Sequence, residues 1–367
     1  MDTTPPIGPT ELPGKGRAII SLRPIKGGEI ILRDTPLILY SAQPFNPNTP
    51  LNQNNYCSHC FKTISKHPQQ TQTSCSTCGS HFCSLNCQHI SSTSSHTPYI
   101  CQTLSHLQHY FSNNINVPLE LHSQARYLVS AYNLAVVSPE KFQKLLSLQG
   151  GELGCESDEE SAKFLFSIVR PPVGDLGFSV ELVRALLGKD KVNAFGLMEP
   201  FNESGERSVR AYGIYGTASL FNHDCLPNAC RFDYVDGGGG GLGSGDNTEI
   251  MIRMIHEVPQ GMEICLSYFP VNLRYSERQK RLKDDYGFVC ECDRCKVEVN
   301  WENCGGTLAP LPPSAATSNG VMECHVCGSF KKPDQMGNLS ATTLKFFGKI
   351  KGMLISNLLT HYLAKYN

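Results

Sequence analysis

The chain has almost no net charge, a single tryptophan and no long apolar run. Its 32 Lys+Arg balance 33 Asp+Glu to leave a formal charge of −1. That excludes strong general binding to nucleic acid, which needs concentrated positive charge to displace counterions. No stretch approaches the roughly 20 consecutive apolar residues that span a bilayer, so no membrane contact of that kind is expected. The first residues, Met1-Asp2-Thr3-Thr4-Pro5-Pro6, lack the basic and apolar regions of a signal peptide. Cysteine, by contrast, is abundant: there are 17 among 367 residues. In a chain without a secretory signal, clustered cysteines bind metal more often than they form disulfides. The length allows one large domain or two to three modules.

Residues 11–40 read as strands joined by tight turns. Gly14-Lys15-Gly16-Arg17 punctuates their start, and by itself such a short G-x-G is a plain hairpin turn. Residues 41–56, rich in Pro, Asn and Gln, suit a linker. Between 57 and 101 the ligands come densely: Cys57-x2-Cys60, Cys75-x2-Cys78, Cys83-x3-Cys87 and His96-x4-Cys101. A closed structural zinc site takes four such ligands, so these seven thiols and one imidazole imply two ions (His89 being an alternative imidazole). A segment so short and polar buries little core, and the metals must supply its folding free energy.

Residues 102–190 read as helical. Leu121, Ala125, Leu128, Val129 and Tyr132 share one helical face, and Phe164, Leu165 and Ile168 share another. Val180, Leu182, Val183, Leu186 and Leu187 form a third stripe. All three are core faces. The acidic run at 156–160 suits a solvated loop or a helix start. Strand character returns at 192–197, 213–216, 229–232, 248–255 and 262–269, with a glycine-rich insertion at 237–245. Cys290-x-Cys292-x2-Cys295 supplies three more zinc ligands and needs a fourth. Cys155, Cys230 and Cys265 read as buried thiols and Trp301 as core or cover. Cys304, Cys324 and Cys327 hint at a further knuckle that lacks one ligand. The apolar, helix-compatible residues 344–363 read as docking on the body.

The segment 57–101 resembles the MYND zinc finger. That resemblance implies cross-braced pairing: Cys57, Cys60, Cys83 and Cys87 for one zinc, and Cys75, Cys78, His96 and Cys101 for the other. Asn222-His223-Asp224-Cys225-x-Pro227-Asn228, then Gly261-Met262-Glu263-Ile264-x-x-Ser267-Tyr268, then Tyr286-Gly287-Phe288-Val289-Cys290 resemble three successive signatures of SET-domain protein lysine methyltransferases. The finger between the opening strands and the rest resembles the SET-and-MYND (SMYD-like) subfamily, in a plant-type form with a reduced C-terminal domain.

The resemblance implies an α+β fold. It is a β-rich SET domain (10–40 and 191–270) split by the MYND finger (57–101), with a helical insert (102–190), a post-SET zinc segment (286–297) and a short helical C-terminal region (298–367). It implies transfer of a methyl group from S-adenosyl-L-methionine to a lysine amine of a protein such as a histone. The cofactor would be bound by Gly14, Lys15, Gly16, Asn193, Asn222, His223, Tyr268 and Phe288. Tyr268 would be the catalytic residue and Tyr286 a wall of the lysine channel. Cys225 would complete a third zinc with Cys290, Cys292 and Cys295. Peptide partners for the MYND finger and a nuclear or cytoplasmic location are also implied. The sequence departs from the family at Pro13, Lys15 and Asp224, where Asp224 stands in place of the usual serine. The alternative is a MYND-centred interaction scaffold whose SET core has lost activity.

Overall fold

The computed structural model describes residues 5–45, 56–64, 73–150, 156–172, 177–199, 208–233, 236 and 248–299, together with the backbone of three short strands beyond. In chain order, β1 (Ile7–Leu12), β2 (Gly16–Ser21), β3 (Ile30–Asp34) and β4 (Pro36–Ser41) are followed by β5 (Thr73–Ser74) and β6 (His81–Phe82). Six helices come next: α1 (Leu85–Ser91), α2 (Pro98–Asn113), α3 (Leu119–Val137), α4 (Pro139–Ser147), α5 (Glu156–Ile168) and α6 (Val180–Asn193). Then follow β7 (Ala194–Met198), β8 (Val209–Tyr215), β9 (Asn222–His223), β10 (Ala229–Asp233), β11 (Ile250–Met254) and β12 (Cys265–Leu266). Last come α7 (Tyr275–Tyr286), α8 (Asp293–Glu298), β13 (Leu308–Pro310), β14 (Met322–Cys324) and β15 (Phe330–Lys331). The chain divides into two compact units. One comprises Met1–Glu29, Phe221–Cys230 and Met254–Asn367, and the other Ile30–Leu220 and Arg231–Arg253.

In the larger unit an antiparallel sheet of order β4-β8-β7 is covered by the helices. Helix α2 starts where Thr97 accepts from the Ile100 N–H with Pro98 at its first position, and α6 starts on the Ser179 hydroxyl. Of the expected stripe of α3, Ala125, Leu128, Val129 and Tyr132 are all at most 1% exposed, while Leu121 is half-buried against the same core. Burying each of the larger of these contributes about 1.5–3 kcal/mol. Leu165 of α5 and Leu186 of α6 pack into the same core. The acidic run opens α5. Strand β8 also carries Arg210, fully buried, whose Nη1 donates to the Phe61 carbonyl and to Asp236 at 2.9 Å each. The metal-ligand segment is thus tied to the sheet by a buried charge as well as by the apolar packing of Phe61 on Leu197 and Ala211.

In the smaller unit β1 and β2 form an antiparallel hairpin closed by Lys15 N–H to Leu12 C=O at 3.0 Å. Gly14 and Gly16 have φ of +74° and +70°, which explains why both ends of this turn are glycine. The hairpin is joined to the segment before β12 by Ile264 N–H to Ile19 C=O (2.8 Å) and Ser21 N–H to Met262 C=O (2.9 Å). Helix α7 ends at Gly287 in the left-handed region (φ 76°), which turns the chain toward Phe288 and the cysteine knuckle.

Two expectations are corrected. Val192 and Asn193 finish helix α6 rather than opening a strand, because the helical hydrogen bonds continue to that point and β7 begins at Ala194. Cys230 is only half-buried, since β10 has a single well-covered residue, Ala229. Cys155, Cys304, Cys327, Trp301, the glycine-rich 237–245 and the helix-compatible 344–363 lie outside the described residues.

Candidate active site and zinc centres

The site grows from a two-residue parallel pairing in the smaller unit, Cys265 with Asn222 and Leu266 with His223. So short a ladder is weak alone, and side chains reinforce it. Asn228 accepts from the Cys265 N–H at 2.9 Å and donates to the Glu263 carbonyl at 2.8 Å. Asp224 accepts from the Leu226 N–H at 2.7 Å and so holds the turn that carries Cys225.

Glu263 joins the two halves of the predicted cofactor site. Its Oε1 accepts from Asn222 Nδ2 at 3.0 Å and its Oε2 pairs with Lys15 Nζ at 2.5 Å. The Glu263 hydrogen bond raises the Lys15 pKa, so this side chain is cationic at neutral pH. Nothing lies within 4 Å of a Cβ placed on Gly14 or Gly16, so the turn is open at both glycines.

His223 is buried, and both ring nitrogens are engaged by the protein. Nδ1 accepts from the Tyr268 backbone N–H at 3.1 Å, which leaves the proton on Nε2, 3.3 Å from Cys225 Sγ. The imidazole therefore ties Tyr268 to a metal ligand. Contact with a cofactor is left to its ring face or its backbone. The Tyr268 hydroxyl donates to the Phe221 carbonyl at 3.1 Å, and its ring lies 4.7 Å from that of Tyr286 and 5.2 Å from His223. Burial pushes the Tyr268 pKa up, so the hydroxyl is neutral. Phe288 is 38% exposed, 6.4 Å from the His223 ring. A phenyl ring left this open suits a flat partner.

Asn193 lies in the other unit. Its amide is taken up by the Gln149 and Lys189 carbonyls at 2.7 and 2.8 Å, as a helix end requires.

Three ligand sets gather, each with its donor atoms within 4.8 Å of one another. They are Cys57, Cys60, Cys83 and Cys87; Cys75, Cys78, His96 and Cys101; and Cys225, Cys290, Cys292 and Cys295. His96 belongs to the second set and His89 does not. Sulfurs on a tetrahedral zinc with bonds near 2.3 Å stand about 3.8 Å apart. Cys60–Cys83 at 3.7 Å, Cys75–Cys101 at 3.7 Å and Cys225–Cys290 at 3.9 Å match that spacing. Four thiols, or three thiols and an imidazole, converging at this spacing fit a tetrahedral cation, and all three sets fit zinc.

A model of the SET domain family matches residues 16–269. The chain belongs to the SET domain family. Among its relatives, the Histone-lysine N-methyltransferase ASHR2 of Arabidopsis thaliana is 44% identical over 395 aligned positions, covering 89% of this chain and 95% of the relative. The SET and MYND domain-containing protein DDB_G0292454 of Dictyostelium discoideum is 23% identical over 305 positions, covering 78% of this chain and 82% of the relative. Among solved structures, the SET domain of LSMT bound to lysine and AdoHcy is 14% identical, with a TM-score of 0.35. The match covers 80% of this chain and 55% of that one, a likeness too slight to argue from.

Within this SET chain the first two zinc sets fall inside the matched span, while Cys290, Cys292 and Cys295 follow it. Glu263 stood in the SET signature with no role attached, and its bridge to Lys15 spans 248 residues. Its carboxylate in a largely apolar stretch was the one signal available.

Proposed function

We propose that this SET protein is a protein-lysine N-methyltransferase acting on histone or similar lysine-bearing substrates. One observation carries the reading. Asn222, Glu263 and Lys15 meet at the glycine turn, while the tilted rings of His223, Tyr268 and Tyr286 pack against one another in the same unit. The name of the ASHR2 relative points the same way.

S-adenosyl-L-methionine, when bound, supplies a methyl group on a sulfonium, open to in-line attack. The chain's residues do the rest. The Gly14–Gly16 turn and Asn222 would hold the cofactor, with Phe288 covering its flat part. Tyr268 and Tyr286 present two half-buried aromatic faces along which a lysine stem can pack. A free lysine amine has a pKa near 10.4, about three units above neutral, so the channel must favour the uncharged nucleophile. Withdrawal from water does this without a base. The neutral Tyr268 hydroxyl orients the amine, and positioning supplies much of the rate. We read the segment 57–101 as a MYND finger that binds peptide partners, and the protein as a nuclear regulator of chromatin. The inactive-scaffold alternative is not favoured, since a relative 44% identical over most of the chain carries the name of a histone-lysine N-methyltransferase.

Calorimetry with S-adenosylhomocysteine tests this. The wild type binds with a measurable heat, and Asn222→Ala weakens binding at least about tenfold, the cost of one hydrogen bond to a charged or strongly polar group. Absence of any heat or thermal shift in zinc-loaded wild type overturns the reading.

A further inference from the structure

Arg278 is an arginine with no exposed surface, on the inner face of α7. Every part of its guanidinium is engaged. Nη1 donates to the Leu273 carbonyl at 2.7 Å, and Nη2 pairs with Glu298 Oε2 at 2.5 Å. Nε points at Cys225 Sγ at 3.2 Å, and Nη2 also lies 3.7 Å from Cys295 Sγ. Glu298, almost wholly buried, holds a second arginine through its other oxygen: Arg294 Nε at 2.9 Å. Arg294 in turn donates to the Val271 carbonyl at 2.6 Å and the Cys225 carbonyl at 3.3 Å.

A salt bridge alone does not account for this. An arginine buried only to meet Glu298 has no reason to aim its Nε–H at a cysteine sulfur on a segment 53 residues away. The zinc chemistry supplies one. Four thiolates on a divalent ion carry a formal charge of −2, and burying that without compensation is costly. The two guanidiniums and one carboxylate add +1, delivered where charge is densest.

We propose that Arg278 is the positioning and charge-compensating residue of the post-SET zinc site, oriented by Glu298 and Arg294. It acts through Cys225 and Cys295. The inference rests on the zinc reading of that cysteine set and not on the methyltransferase activity. Cys225 also receives the Nε2–H of His223, which holds the Tyr268 backbone, so the same thiolate links metal retention to the placement of Tyr268.

The test uses the full chain, zinc-loaded, with zinc content by elemental analysis and release followed with the chromogenic chelator 4-(2-pyridylazo)resorcinol. The two sites between residues 57 and 101 serve as internal reference. In Arg278→Gln, one zinc equivalent of three should leave about 10- to 100-fold faster, the usual effect of losing an outer-shell partner, with the other two unchanged. Arg278→Lys keeps the charge but cannot reach Cys225, Cys295 and Glu298 together, so it should also release one zinc faster. That variant decides the matter if the glutamine variant does not fold. Glu298→Gln leaves the N–H groups on sulfur, so it should lower the melting temperature while accelerating release less than either arginine variant. Release at the wild-type rate from Arg278→Lys, or a larger acceleration in Glu298→Gln, overturns the proposal. A wild type holding only two zincs would instead refute the zinc reading beneath it.

Discussion

Replacing Tyr268 by phenylalanine removes one oxygen and leaves nearly everything else in place. The tie from the Tyr268 backbone N–H to His223 Nδ1 does not involve the side chain, and the ring contact with Tyr286 at 4.7 Å is retained. The lost contact is the hydroxyl's bond to the Phe221 carbonyl at 3.1 Å. Leaving that carbonyl without its partner costs about 1–3 kcal/mol of stability. The effect on turnover should be larger. A preorganised polar group aimed at the reacting centre is worth roughly 10²–10³ in kcat, or about 2.7–4 kcal/mol. Initial rates with tritiated S-adenosylmethionine, alongside zinc content and a melting curve, separate the two effects. The expected pattern is a small drop in melting temperature, three zincs retained, cofactor affinity within about threefold and kcat down by about two orders of magnitude or more. Turnover within tenfold of wild type would refute the assignment of Tyr268, and loss of zinc would show that the side chain is structural.

Three further outcomes follow from specific contacts. Glu263→Gln keeps the bond to Asn222 but loses the ion pair with the exposed Lys15. Since exposed pairs contribute about 1 kcal/mol or less, stability should barely change while the KM for S-adenosylmethionine rises, and an unchanged KM would show that the bridge does not shape the cofactor site. Asp190 is held by the Tyr40 hydroxyl, and burial raises its pKa to about 7. The folded state therefore binds a proton more tightly than the unfolded chain, so stability is fully present below pH of about 4 and is lost as pH rises toward about 7. Asp190→Asn should abolish this slope in urea titrations at pH 5.5, 6.5 and 7.5 by about 1 kcal/mol per unit, and parallel slopes would contradict it. Gly287→Ala, forced to φ 76°, should cost about 1 kcal/mol and lower zinc retention at the adjoining knuckle, whereas an unchanged melting temperature would remove the need for glycine there.

Much of the framework was legible in the sequence because it follows from local rules. The stripe of Ala125, Leu128, Val129 and Tyr132 has a helical period and became the buried face of α3. Gly14 and Gly16 bracket the hairpin turn because their positive φ favours glycine. The cysteine spacings announced zinc, while the way the ligands divide between sites came from family resemblance. What escaped was long-range polar chemistry. Nothing local marks Arg278, in a strongly charged helix, as a residue with no exposure, since burying it becomes favourable only when Glu298 and two sulfurs close around it. Glu263 meets Lys15 across the fold, and no periodicity encodes that contact. Asn193 was misread as strand because apolar and small residues on either side suit both states, and only the continuing hydrogen bonds of α6 decide between them.

The most direct measurement is transfer of labelled methyl from S-adenosylmethionine to core histones by zinc-loaded wild type, with the product mapped by mass spectrometry and Tyr268→Phe run in parallel. The account predicts label on a lysine side chain, strongly reduced in the variant. Label on another residue type, or equal label from the two proteins, would contradict it.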